Sequence, residues 1–295
     1  MAAAYSFGCT ACGKCCTSSP LLSLPELFRH QTRFIGLLGV RRLGGHMDGI
    51  SSGGLFAFTG ALDHAGAGRC PALTAQGLCS LHGEGKPVAC RVVPFDALVP
   101  DAYQASVLEE RRRDVERWDA GCLVGGPKSG PVPEGHAVVY RHLRVVDPGI
   151  ERDIEQHRRA LRDDYRFWGE VVAAELTKAL DARPKAARTL DEGGIVTLPL
   201  APVLLVLAAT SDAVRRRCLE FAESQQALLD AVRSTPDASP ALMSETRLLS
   251  AANDAVARAL ARTSAPSRSL PESERAALER WLDVQIASPR AAANG

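Results

Sequence analysis

A chain of 295 residues, 46% of them hydrophobic, can bury a sizeable core, which excludes a disordered or fibrous protein. Its 35 basic and 34 acidic residues leave a net charge of +1, so no overall charge directs it to nucleic acid or to an anionic membrane. The first residues lack the pattern of a secretory signal, and the most apolar run, residues 198–209, is too short to span a bilayer and contains Pro202. We therefore expect a soluble, cytoplasmic protein.

The most unusual feature of the chain is a group of cysteines near its start, in the sequence SFGCTACGKCC. Cys9, Cys12, Cys15 and Cys16 form the pattern C-x2-C-x2-C-C, and eight of the nine cysteines lie at or before Cys122. In a reducing cytoplasm, clustered cysteines are more often metal ligands or redox centres than disulfides. The pattern therefore predicts a metal site.

The spacing favours an iron–sulfur cluster of the 4Fe–4S type and leaves zinc as the alternative. Three cysteines at successive C-x2-C spacing suit three corners of a cubane, with a fourth ligand from elsewhere that is often followed by proline. Cys70 precedes Pro71, so the first predicted ligand set is Cys9, Cys12, Cys15 and Cys70. Structural zinc sites usually take two ligands from each of two turns, which this arrangement does not resemble.

The remaining cysteines of this half allow a second site. Cys16 directly follows Cys15, and adjacent side chains in an extended chain point apart, so the two would rarely bind one ion. Cys16, Cys79, Cys90 and Cys122 are therefore alternate ligands or members of a second centre. The sequence leaves the grouping of the eight thiols open.

Short helices and loops are predicted for the rest of the cysteine-rich half. The SLPE sequence from Ser23 to Glu26 is a capping box that starts a short helix. Residues 36–68 are rich in glycine, which favours loops over long regular elements. Residues 109–117 mix arginines with acids, which indicates a solvated helix face and not a track for nucleic-acid phosphates.

The second half shows helical periodicity. Apolar residues at spacings of three and four predict a long helix that starts near Ile150 and ends before Pro184, and three further stripes follow at residues 214–232, 242–260 and 270–286. Residues 136–147 are β-branched and partly alternating, which predicts a strand that pairs with residues 194–200. We expect a mainly α protein. Its irregular cysteine-rich metal-binding half, residues 1–126, has short helices and a few short strands and packs on a helical domain, residues 136–295.

The segments FGCTACGKCC, RCPAL, GLCSLHGEGKPVACRVVPF and GCLVGG together resemble the YkgJ-type or CxxCxxCC cysteine-cluster family, described as a zinc- or iron-chelating domain. The resemblance covers residues 7–126. Lys86 stands where that family usually has arginine, Leu123 replaces its late proline, and the connection from Cys16 to Cys70 is long. The matching positions are Cys9, Cys12, Gly13, Cys15, Cys16, Cys70, Leu73, Gly77, Cys79, Pro87, Cys90, Arg91, Pro94, Cys122 and Gly125.

The resemblance implies metal chelation and assigns no reaction. The best-defined enzymatic relatives of that family are flagellin lysine N-methylases, which use S-adenosylmethionine. No glycine-rich nucleotide loop of the G-x-G-x-x-G type occurs in this chain. Three hypotheses follow: a protein that holds an iron–sulfur cluster, a structural zinc module that presents the helical half to a protein partner, and an enzyme related to the methylases whose cluster positions or activates a bound substrate. The partner is expected to be a protein or a small molecule and stays open.

Four single residues carry separate predictions. Arg91, beside Cys90, either binds the cofactor by donating hydrogen bonds to thiolate or sulfide sulfur, or forms a surface salt bridge. Cys218 and His157 lie on apolar helix stripes and are predicted to be buried. His82, shortly after the predicted ligand Cys79, is predicted to be a loop histidine and not a ligand.

Overall fold

The computed structural model describes residues 4–15, 20–42, 55–62, 70–83, 85–126, 131–181, 184–191, 194–236, 239–262, 268 and 270–286. The strands are β1 (Ala4–Phe7), β2 (Gly36–Arg42), β3 (Leu55–Ala61), β4 (Leu123–Gly126), β5 (Ala137–Arg141), β6 (Arg144–Val145) and β7 (Ile195–Pro199). The helices are α1 (Leu24–Arg29), α2 (Val88–Arg91), α3 (Gln104–Arg117), α4 (Pro148–Asp164), α5 (Glu170–Asp181), α6 (Pro184–Asp191), α7 (Ala201–Ala208), α8 (Asp212–Arg233), α9 (Pro240–Arg262) and α10 (Glu272–Ile286). A 3₁₀ turn covers Asp101–Tyr103, and a π-helix covers Tyr165–Gly169.

The fold is mixed, with substantial helix and two small antiparallel sheets. The chain forms two compact units that are interleaved along the sequence. Unit 1 comprises Met1–Pro20 and Ala72–Leu161, and unit 2 comprises Leu21–Pro71 and Arg162–Gly295. This division differs from the single boundary predicted between residues 126 and 136. Within the described ranges, no helix combines the length and apolar character needed to cross a membrane.

Unit 1 is built on a four-stranded sheet in the order β4-β1-β5-β6. The inner strand β1 runs antiparallel to both neighbours, with Tyr5 opposite Gly125 on one side and Tyr140 on the other. A Cβ atom at Gly125 would lie 2.2 Å from Ala4 O, so only glycine allows β4 to approach β1 here. The apolar face of the sheet packs with α2, α3 and α4 into one core around residues such as Leu108.

Unit 2 contains a three-stranded antiparallel sheet in the order β3-β2-β7. Gln225 on α8 fixes the chain as it enters β2. Its Oε1 accepts from Gly36 N at 2.7 Å, and its Nε2 donates to Gln31 O at 2.9 Å and Phe34 O at 3.0 Å. Because Gln225 is 3% exposed, these bonds satisfy backbone groups that have little access to water.

Several local predictions are confirmed. Ser23 N donates to Glu26 Oε2 at 3.0 Å, which completes the predicted capping box of α1. The long apolar stripe forms α4, the π-helix and α5. The mixed acids and arginines of residues 109–117 lie on α3, where Arg112 pairs with Glu109 at 2.8 Å on a partly exposed face. The SLPE sequence recurs at Ser269–Glu272, which predicts a second helix start, but Ser269 lies outside the described residues.

Two predictions about strands are wrong. The glycine-rich residues 36–68 contain β2 and β3, and not loops alone, because Gly39 makes room for the ring of Phe58 on the paired strand; a Cβ at Gly39 would lie 2.4 Å from Phe58 Cζ. Residues 136–147 form β5 and β6 as expected, but β5 pairs with β1. β7 pairs with β2 instead. Val139 and Tyr140 of β5 belong to the core of unit 1, which decides the pairing.

Candidate metal centre

The cysteine loop, residues 8–15, follows directly from the inner strand β1. Ala11 and Gly13 have φ values of 55° and 70°, so the backbone turns back twice through the left-handed region. Where the loop begins, Gly8 N donates a 2.9 Å hydrogen bond to Cys122 O. The pairing of β1 with β4 therefore brings the start of the loop beside Cys122.

A second segment of unit 1 lies against the middle of the cysteine loop. A Cβ atom at Gly13 would lie 2.1 Å from Gly77 O and 2.7 Å from Leu73 Cδ2, so glycine is required for this close approach as well as for the positive φ. Leu73 forms a β-bridge with Cys79, which closes residues 73–79 into a small hairpin-like turn. Cys79 therefore belongs to a segment that contacts the cysteine loop.

A third contact is made by Lys14, which lies between Cys12 and Cys15. Its Nζ donates to Trp118 O at 2.5 Å and to Asp119 O at 3.2 Å, at the carboxyl end of α3. The chain continues from this helix end to Cys122. The cysteine loop is thus held near Cys122 at two points, Gly8 and Lys14.

The surroundings of Cys122 change the acidity of its thiol. Burial raises the pKa of the Cys122 thiol, and the nearby thiols of Cys12, Cys15 and Cys9 raise it further by like-charge repulsion. Cys9 and Cys15 are exposed, whereas Cys12 and Cys122 are half-buried.

The side chains do not form a ready-made ligand set. Among the residues that the structure describes, no group of three or more His, Cys, Asp or Glu side chains is arranged so that it could hold a metal ion. What the fold provides is the approach of the backbone segments that carry Cys9, Cys12, Cys15 and Cys122. The chemistry of these donors, soft thiolates, suits zinc and iron–sulfur clusters.

The other predicted ligands have different surroundings. Cys70 is buried and belongs to unit 2. Cys90 lies half-buried on α2 of unit 1. Cys16 lies outside the described residues. Cys79, Cys90 and Cys122 share unit 1 with the cysteine loop, and of these Cys122 accepts a backbone hydrogen bond from the loop itself, at Gly8.

No family model, curated protein or solved structure matches this chain. The resemblance to the CxxCxxCC family accordingly stays a prediction that depends on the motif residues themselves.

Arg91 forms a salt bridge with Asp153, which is one of the two roles predicted for it. Its Nε donates to Asp153 Oδ1 at 3.0 Å, its Nη2 to Gln156 Oε1 at 2.8 Å and its Nη1 to Lys86 O at 3.1 Å. These bonds join α2 to α4 within unit 1. The guanidinium thereby stabilises the helix that carries Cys90, and its role as a cofactor-binding residue stays a prediction.

Three single-residue predictions agree with the structure. Cys218 is 0% exposed, and burial raises its pKa to about 12, as expected for a core thiol. His157 is buried on α4, and His82 lies exposed in a turn.

Unit 2 contains a buried polar cluster centred on Asp164, at the start of the π-helix. Leu24 N donates to both carboxyl oxygens, at 3.2 and 3.3 Å, and Thr59 Oγ1 lies 3.1 Å from Oδ2. Thr59 Oγ1 also donates to Leu22 O at 2.5 Å. Burial raises the pKa of Asp164 to about 8, and the nearby Glu26 acts in the same direction. A carboxyl group with this pKa is largely protonated at neutral pH.

Sequence reasoning did not single out Lys14 or Asp164. Asp164 did have a signal, because an acid three residues after Leu161 and four before Trp168 falls on the apolar stripe of its helix. The only sequence signal for Lys14 was its position between the predicted ligands Cys12 and Cys15. Its contact with residues more than a hundred positions away depends on the sheet of unit 1.

Proposed function

We propose that this protein binds an iron–sulfur cluster, favoured as 4Fe–4S, through the thiolates of Cys9, Cys12, Cys15 and Cys122. The observation that carries the proposal is the hydrogen bond from Gly8 N to Cys122 O, which joins the start of the cysteine loop to Cys122. Three ligands from one C-x2-C-x2-C loop and a fourth from a distant segment form the arrangement typical of a cubane. A cluster so bound supplies one-electron transfer or structural support.

The proposal changes the fourth ligand from Cys70 to Cys122. Cys70 belongs to unit 2, whereas Cys122 lies in unit 1, where its carbonyl accepts the hydrogen bond from Gly8 N at the start of the cysteine loop. Cys79 lies in the turn that contacts Gly13 and is the alternative fourth ligand. The resemblance to the CxxCxxCC family supports the same chemistry. A cytoplasmic location, also proposed, would keep the thiols reduced.

The first experiment measures iron, zinc and acid-labile sulfide, together with the absorption spectrum, on protein purified without oxygen. We expect iron with an equal amount of acid-labile sulfide and a broad absorption band in the visible range, as for a thiolate-ligated iron–sulfur cluster. If the protein contains zinc and no sulfide, the cysteines form a structural zinc site and not an iron–sulfur cluster. Protein with neither metal, purified or after reconstitution, would refute the proposal.

Two matched variants then test the fourth ligand. Cys122→Ser is expected to lose most of the bound iron, whereas Cys70→Ser is expected to retain it. Cys218→Ser serves as a control for the loss of a thiol, because Cys218 is a core residue of α8. Retention by Cys122→Ser with loss by Cys70→Ser would restore the ligand set predicted from the sequence.

A further inference from the structure

The carboxyl end of α3 has two carbonyl groups that its own backbone does not use. Asp119 has φ 50°, and its N–H bonds Glu116 O while Ala120 N–H bonds Val115 O, the paired bonds of a Schellman motif. The carbonyls of Trp118 and Asp119 accept neither of these two bonds. Oxygens at a helix carboxyl end carry partial negative charge and favour a cation.

Lys14 supplies that cation from the cysteine loop. Its ammonium donates to both carbonyls, at 2.5 Å for Trp118 and 3.2 Å for Asp119. The residues on either side of Lys14 are Gly13, fixed against Gly77 by its close approach, and the predicted ligand Cys15. The ammonium therefore holds the far end of the loop, while the Gly8 hydrogen bond holds the near end.

We propose that Lys14 is a positioning residue for the thiol site: its contact with the end of α3 sets the distance between the cysteine loop and Cys122. The inference rests on the proposed function, because positioning matters only if the thiols act together.

The test compares three variants. Lys14→Met keeps most of the aliphatic stem and removes the donor and the charge, Lys14→Arg keeps both, and Lys86→Met removes a positive charge elsewhere in unit 1. The apparent affinity for the reconstituted cluster is measured by competition with an iron chelator. We expect an about two- to fivefold weaker affinity in Lys14→Met, as for a lost cation at an exposed helix end. Lys14→Arg and Lys86→Met should stay within about twofold of the parent protein.

A second readout needs no metal. The metal-free protein is oxidised briefly with diamide, and disulfides between Cys122 and the cysteine loop are quantified by peptide mass spectrometry. Lys14→Met should lower the yield of these disulfides, and Lys14→Arg should restore it. The thermal unfolding midpoint should fall by no more than about 4 °C in any of the three variants, so that the fold is retained.

The two readouts separate this inference from the proposed function. If the parent protein takes up neither iron nor zinc, the proposed function is refuted. If Lys14→Met nevertheless gives a lower disulfide yield than the parent, the positioning role of Lys14 is still supported. A Lys14→Met variant equal to the parent in disulfide yield and in affinity would overturn the inference. An equal loss in Lys86→Met would also overturn it, because the effect would then be one of general charge.

Discussion

The buried carboxyl of Asp164 should make unit 2 less stable as the pH rises. Its pKa is about 8 in the fold and 3.8 as the ordinary value for an aspartate. Between these values the folded chain binds more protons than the unfolded chain, so the free energy of unfolding falls by about 1.4 kcal/mol per pH unit. At pH 7 the accumulated penalty is about 4 kcal/mol, and above pH 8 it grows no further.

Asp164→Asn removes this penalty while it preserves the shape of the cluster. The Asn Oδ1 can accept from Leu24 N, and Nδ2 can donate to Thr59 Oγ1, which already donates to Leu22 O at 2.5 Å. We expect the free energy of unfolding at pH 7 to rise by as much as about 4 kcal/mol, with little gain at pH 4.

The measurement is urea unfolding between pH 4 and pH 8.5, followed by circular dichroism, for the parent, Asp164→Asn and Asp163→Asn. Asp163→Asn is the matched control because it removes the same charge one residue earlier on α4. The slope of unfolding free energy against pH should flatten in Asp164→Asn alone. A variant slope parallel to that of the parent would refute the argument, because Asp164 would then be ionised in the fold.

Three further substitutions test other contacts. Gly13→Ala should abolish metal uptake, because the new Cβ would meet Gly77 O at 2.1 Å in a backbone with φ 70°; normal uptake would contradict this use of the loop. Arg91→Met should lower the free energy of unfolding by about 0.5–1 kcal/mol through loss of the partly exposed pair with Asp153, with the iron content unchanged; loss of iron would instead support cofactor binding. Gln225→Leu should lower the free energy of unfolding, measured by chemical denaturation, by about 2–3 kcal/mol, because it leaves three backbone groups without their hydrogen-bond partner. An unchanged free energy of unfolding would contradict the burial of these groups.

Local features of the fold were predictable from the sequence. The capping box of Ser23 and Glu26 and the apolar stripe of α4 and α5 depend on residues within a few positions of one another. The strands β2 and β3 were missed because glycine content favours loops, whereas the space that Gly39 leaves for Phe58 depends on a paired strand.

The candidate site was predictable in composition and not in grouping. Cys9, Cys12 and Cys15 stand out by spacing alone. The approach of Cys122 to them depends on the antiparallel register of β1 and β4, in which Phe7 lies opposite Leu123. Non-local strand pairing of this kind leaves no mark in the spacing of the cysteines.

The interleaving of the two units affects the order in which the thiol site is made. The inner strand β1 is synthesised before its partners β4 and β5, which lie more than 100 residues further along the chain. At 5–20 residues per second, the roughly 110 residues from Cys12 to Cys122 take about 5 to 20 s. During this time Cys9, Cys12 and Cys15 have been synthesised and Cys122 has not. A cofactor that needs all four thiolates could therefore bind only after β4 has paired with β1.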